Sequence, residues 1–155
     1  MLHNALLGVA SRHHAAVTQV LAAAVGDRTL EVREGGEGGV HRRIASLVRS
    51  SALLGEFLKW VRGLPGGLHT QVGQGGVSLS IGERQLLSIV RALLQLPGVL
   101  ALDLTACALG EGGVLALKRD LQQGQPLAQC SVLLVASSQL MAEQLEVQAA
   151  SISHA

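Results

Sequence analysis

At 155 residues the chain is expected to form one domain. Its 12 Lys and Arg balance 11 Asp and Glu to a net charge of +1, so it lacks the basic footprint that nucleic-acid backbones and anionic lipids require. Hydrophobic residues make up 48%, yet the most apolar stretch, Gly98 to Leu117, carries Asp103, Glu111 and several glycines and falls short of the ~20 clean residues that span a bilayer.

The opening "MLHNALLGVASRHHAAV" has no Lys or Arg ahead of its short apolar run. It makes a poor secretory signal and points to an intracellular chain, with a transit peptide as the alternative. His13 and His14 are adjacent, and neighbours on a helix point about 100° apart, so they read as surface residues rather than metal ligands. "AAVTQVLAAAV" follows, then "EVREGGEGGVHRR", whose four glycines and alternating charges mark a loop. From Arg43, Ile44, Leu47, Val48, Leu54, Leu58 and Val61 fall near one face at helical spacing, with Gly55 as the point where one helix could become two. "PGGLHTQVGQGG" is dense in Gly and Pro and predicts a structured loop or short hairpin.

Ser80 and Glu83 then form a capping-box pattern, so a helix starts there. Leu86, Ile89, Val90, Leu93 and Leu94 give it one apolar stripe, which ends before Pro97. Arg84, Gln85, Ser88 and Arg91 occupy the other face, with the two arginines read as a solvated stripe. "GVLALD" (98–103) and "SVLLVA" (131–136) are short continuous apolar runs, the pattern of strands buried on both faces. Between them "GGVLALKRDLQQG" reads as a helix closed by Gly124. Helix, strand, helix and strand thus alternate as in a parallel α/β sheet. Cys107 and Cys130 have no partner at ligand spacing and suit small core positions. With one Phe, one Trp and no Tyr, the core must rest on Leu, Val, Ile and Ala. Trp60 reads as a core or rim anchor.

In order and spacing, "LPGGLHTQVGQGGVSLSIGERQLLSIVRALL" resembles the nucleotide-binding domain of ATP-binding cassette (ABC) transporters, of the subfamily C and related exporter type. Leu79, Ser80, Ile81, Gly82 and Glu83 fall on the family's Leu-Ser-Gly-Gly-Gln signature, "VLALD" on its Walker B strand, and "TACALG" (105–110) on its D-loop. The resemblance covers about residues 43 to 140. It leaves 1–42 as a poorly matched, partly disordered segment, with Gln19 a remote Q-loop candidate, and 141–155 as a tail. It implies ATP and Mg²⁺ as cofactors, and a second ABC nucleotide-binding domain and transporter transmembrane domains as partners. No nucleic acid and no membrane segment of its own are expected; membrane association would come only through the transporter. Residues 79–83 would face the γ-phosphate of ATP held by the opposite domain, and Asp103 would hold a Mg²⁺-bound water. The local chemistry agrees: a helix N-terminus offers N–H groups and a partial positive charge, Ser80 adds a hydroxyl, and Gly82 permits close backbone approach. An acid ending a buried strand is likewise placed beside phosphates.

The chain also departs from the family's working ATPases. A P-loop needs Gly-x-x-x-x-Gly-Lys-Ser/Thr, and neither of its two lysines, Lys59 and Lys118, sits in that pattern. Leu104 stands at the catalytic glutamate position, Ser137 at the switch histidine and Gly110 at the D-loop Asp. No Tyr is present to stack on adenine. The expected fold is therefore α/β, a partial P-loop NTPase-type (ABC ATPase) fold with a helical subdomain and parallel strands but no N-terminal P-loop half. The expected role is a degenerate partner that contributes the signature, without catalytic residues of its own. The alternatives are a non-catalytic protein-interaction module and a truncated or pseudogene product.

Overall fold

A computed structural model of the chain describes residues 14–26, 38–74, 77–122 and 130–135. Helix α1 (His14–Val25) buries Val17, Val20 and Leu21 at the spacing of one helical face. It closes on Gly26, whose φ of 78° is the left-handed conformation that favours glycine. Helix α2 (Gly38–Ser50) packs on it through Ile44 and Leu47. The glycine-rich loop expected over 31–43 is therefore helical from Gly38 onward. Packing of an apolar face outweighs the poor helix propensity of Gly38 and Gly39. Residue 43, where the family resemblance begins, falls inside this helix, and the preceding helix shares its core.

The helical stretch after Arg43 does divide, but at Ser51 rather than at Gly55. Ser51 is extended (φ −78°, ψ 122°) and accepts the Leu54 N–H on its hydroxyl, starting α3 (Ala52–Gly63). Gly55 lies within the first turns of that helix. Leu53, Leu54, Phe57, Leu58 and Val61 are buried, and Arg62 Nη2 donates to the carbonyl of Ala24 at 2.6 Å, tying α3 to the last turn of α1. The Gly-Pro-rich stretch that follows holds a 3₁₀ turn at Gly67–His69 and drops Leu68 and Val72 into the core. Among the described residues it forms no hairpin.

Helix α4 (Ile81–Leu94) starts where the capping box places it, and buries Leu87, Ile89, Val90, Leu93 and Leu94. Leu86 is only half-buried and Leu87 takes its place. The helix contacts both α3 and the first strand, which turns its apolar face away from the single stripe expected. Strand β1 (Val99–Asp103) pairs in parallel with β2 (Ser131–Val135), Val99 opposite Ser131 and Asp103 opposite Val135. Helix α5 (Glu111–Gln122) connects them and packs on α3. Gly124, expected to close α5, lies outside the described residues.

One expectation about the sheet is corrected. Leu100 and Leu102 face the core, whereas Val99 (69% exposed), Leu133 (59%) and Val135 (48%) lie on the opposite face. The strands are covered on one side only, because no described element packs on the other. Parallel strands with such apolar runs ordinarily have both faces covered.

Candidate functional site

The N-terminal turn of α4 is built by its own side chains. Ser80 Oγ accepts the Glu83 N–H at 3.2 Å, and Glu83 Oε2 accepts the Ser80 N–H at 2.7 Å. The Ser80 hydroxyl is thus engaged as an acceptor and keeps its proton to donate. Trp60 Nε1 on α3 donates to Glu83 Oε1 at 2.8 Å. These bonds hold the Glu83 carboxyl below its ordinary value, the Ser80 backbone N–H first among the causes. Leu79 is buried beneath the turn and Ile81 projects outward, 66% exposed. Arg84, expected on a solvated stripe, reaches back to the Leu79 carbonyl at 2.6 Å.

The turn is backed by the loop that leaves β1. Gln85 Oε1 accepts the Ala108 N–H at 2.7 Å, and the Ala108 carbonyl oxygen lies where a Cβ on Gly82 would have to sit. Gly82 is therefore required by a contact within its own chain. At the start of the same loop, Asp103 Oδ1 accepts both the Thr105 N–H (2.9 Å) and its hydroxyl (2.7 Å). The Thr105 hydroxyl, followed by its N–H, keeps this exposed carboxyl below its usual range. Asp103 borders an open cleft of about 240 Å³ whose other walls include Gln85, Ser88, Ala92 and Leu104.

The structure thus brings Leu79–Glu83 and the loop after Asp103 together at one end of α4. Leu104, although it borders that cleft, is 1% exposed, its side chain in the hydrophobic core and its N–H donated to the Val135 carbonyl at 2.7 Å. Gly110 accepts the Val114 N–H and opens α5. Gln19 lines a different cleft, of about 280 Å³, with His41 and Arg49 between α1 and α2. Ser137 and His13 lie outside the described residues. Lys59 is exposed and pairs with Glu56 at 3.9 Å.

The chemistry of the donors fits an anion better than it fits a metal. A serine hydroxyl at a helix N-terminus can donate to a phosphate. Among the described residues no group of three His, Cys, Asp or Glu comes together to hold a metal ion. A lone exposed carboxylate, Asp103, would leave a Mg²⁺ in need of further ligands from phosphates or another chain.

Sequence reasoning missed one buried cluster. Asp120 on α5, 2% exposed, accepts from Ser51 Oγ (2.7 Å), Ala52 N–H (2.7 Å) and Leu53 N–H (3.2 Å), capping the first turn of α3 from a distant helix. Burial raises its carboxyl above the ordinary value, against the pull of those hydrogen bonds. The only hint in the sequence is an acid at an otherwise core-facing position next to Ala116 and Leu117.

The relatives of the chain are ABC transporters. It is 31% identical over 115 residues to the ABC multidrug transporter MDR2 of Trichophyton tonsurans, a match covering 69% of this chain and 8% of the transporter. It is 37% identical over 84 residues to antigen peptide transporter 1 of Rattus norvegicus (54% of this chain, 12% of the relative). It is 47% identical over 62 residues to the ATP-dependent lipid A-core flippase of Bordetella pertussis (40% and 10%). The matched stretch is thus a small part of each of these proteins. No protein-family model matches the chain, and no solved structure matches it.

Proposed function

We propose that this chain, whose homologues are ABC transporters, acts as a degenerate ABC nucleotide-binding fragment, presenting the α4 N-terminal turn to ATP held by another ABC domain in ATP-dependent transport. The observation that carries this reading is the preformed turn: Ser80 and the first-turn amides sit at a capped helix start, seated on the loop that leaves Asp103. Their task would be to stabilise phosphate charge with a hydroxyl and a helix N-terminus. ATP, when bound, supplies the triphosphate and its Mg²⁺, and Asp103 would hold a metal-bound water.

In this reading the described residues leave the activation of water to the partner domain. Leu104 is a buried hydrocarbon at the position the family gives to a glutamate, and loss of a general base alone costs about 10²- to 10⁴-fold in rate. No described helix is long and apolar enough to cross a membrane; contact with the bilayer would come through transporter transmembrane domains. Equilibrium dialysis of the isolated chain with Mg-ATP tests the division of labour. Binding weaker than micromolar is expected, because no lysine-bearing phosphate loop is present. A dissociation constant in the low micromolar range, about −8 kcal/mol, would mean that the chain holds its own nucleotide.

A second reading is favoured by the exposed apolar face of Val99, Leu133 and Val135. In it the chain is a protein-interaction module, its helix cap has no nucleotide role, and binding to a partner does not depend on ATP.

A further inference from the structure

Glu83 stands where the resembled signature carries Gln, and its surroundings ask for something a Gln cannot provide. Its two oxygens are divided between donors on different elements, Oε2 taking the Ser80 N–H at 2.7 Å and Oε1 the Trp60 indole N–H at 2.8 Å. Both are donors only, and an ionised carboxylate is an acceptor only. A Gln amide has one acceptor oxygen. Whichever way it is turned, its NH₂ group would face one of the two N–H donors.

We propose that Trp60 is a positioning residue for the α4 N-terminal turn, fixing through Glu83 the orientation in which Ser80 and the first-turn amides meet an anion. That the anion is the phosphate of ATP rests on the functional reading above; the clamp does not. A capping box alone joins residues three apart on one helix. The indole adds a bond across 23 residues to α3, so the turn is held to a second element. Trp60 is itself seated on Phe57, ring centroids 5.8 Å apart and tilted by 58°. Its neighbours in the groove beside Glu83 include Glu56 and Lys59, which are paired with each other. Glu83, its carboxyl held low, stays ionised through the neutral range and keeps both donors satisfied.

The test is a double-mutant cycle in the full chain, with Glu83→Gln, Trp60→Phe and the pair. Glu83→Gln should lower the folding equilibrium constant about three- to tenfold where Trp60 is present and less than twofold where Phe replaces it, the size of one typical hydrogen bond lost at a part-buried site. Because Trp60 is the sole Trp and the chain has no Tyr, its emission reports on this one indole. Emission of the parent should change as acid protonates Glu83, with a midpoint below the ordinary carboxylate range, and that change should vanish in Glu83→Gln. Equal effects of Glu83→Gln in both backgrounds, or an emission titration that Glu83→Gln leaves intact, would overturn the clamp. Trp60→Phe, which removes the clamp, should weaken Mg-ATP-dependent association with an intact ABC nucleotide-binding domain severalfold at unchanged helix content. Association equal to that of the parent would make Trp60 structural only and overturn its positioning role. If the parent itself fails to associate while the coupling and the emission change are present, the functional reading falls and the clamp stands.

Discussion

At the scale of single residues, burial and close contact decide what each position can tolerate. Gly82 to Ala would ordinarily favour a helix by about 1 kcal/mol, but here the new Cβ meets the Ala108 carbonyl. The overpacking should win, with a net loss of about 1 to 3 kcal/mol read from the denaturant midpoint. An unchanged or raised midpoint would show that the loop yields freely. Leu104→Glu restores the residue type of the resembled family but puts a carboxylate into the core. It should lower stability by about 3 to 5 kcal/mol and yield no ATP hydrolysis; a normal melt would mean that the side chain turns outward.

Asp120 gives a prediction with a sign in pH. Its carboxyl is raised on folding, so the native state holds a proton that the unfolded chain has lost. The contribution is therefore fully present below the ordinary Asp value and fades as pH rises through the higher folded value. The parent's stability relative to Asp120→Asn should decline across that window, in the direction opposite to the acid-side loss expected from Glu83, whose carboxyl is lowered. Asp120→Ala, which strands the N–H groups of Ala52 and Leu53, should cost about 2 to 4 kcal/mol in chemical denaturation. A flat difference curve would contradict the assigned shift.

At the scale of elements, what could be read from the sequence depended on whether the stabilising partner was nearby in the chain. The extent of helix α4 was legible because Ser80 and Glu83 are three residues apart and Pro97 stops it, whereas its buried face, with Leu87 in place of Leu86, was set by α3 and β1. The parallel pairing of β1 and β2 was legible from two apolar runs separated by a helical pattern. The start of α2 at Gly38 was not, since two glycines signal a loop and only the contacts of Ile44 and Leu47 with α1 make a helix of them. The Asp120 cap of α3 and the Trp60 bond to Glu83 span 68 and 23 residues, distances over which no local spacing rule applies. The outward face of the sheet was misread because an apolar run reports what a strand can bury and does not say whether anything covers it.

At the scale of the whole molecule, a core of aliphatic side chains around Phe57 joins α1 to α5 and the inner face of the sheet, and it presents the α4 turn at one end. The central claim is that this turn meets ATP held by another ABC domain. Ile81 is the residue with which to probe it. It is exposed in the first turn, and an acid there is neutral or mildly favourable to the helix. The measurement is association of the chain with an intact ABC nucleotide-binding domain, with and without Mg-ATP, for the parent and for Ile81→Asp. The account predicts a complex that forms only with ATP and is lost in Ile81→Asp while its melting point is retained, because the added carboxylate repels the phosphate. A complex of equal affinity with and without ATP, or one that Ile81→Asp leaves untouched, would contradict it.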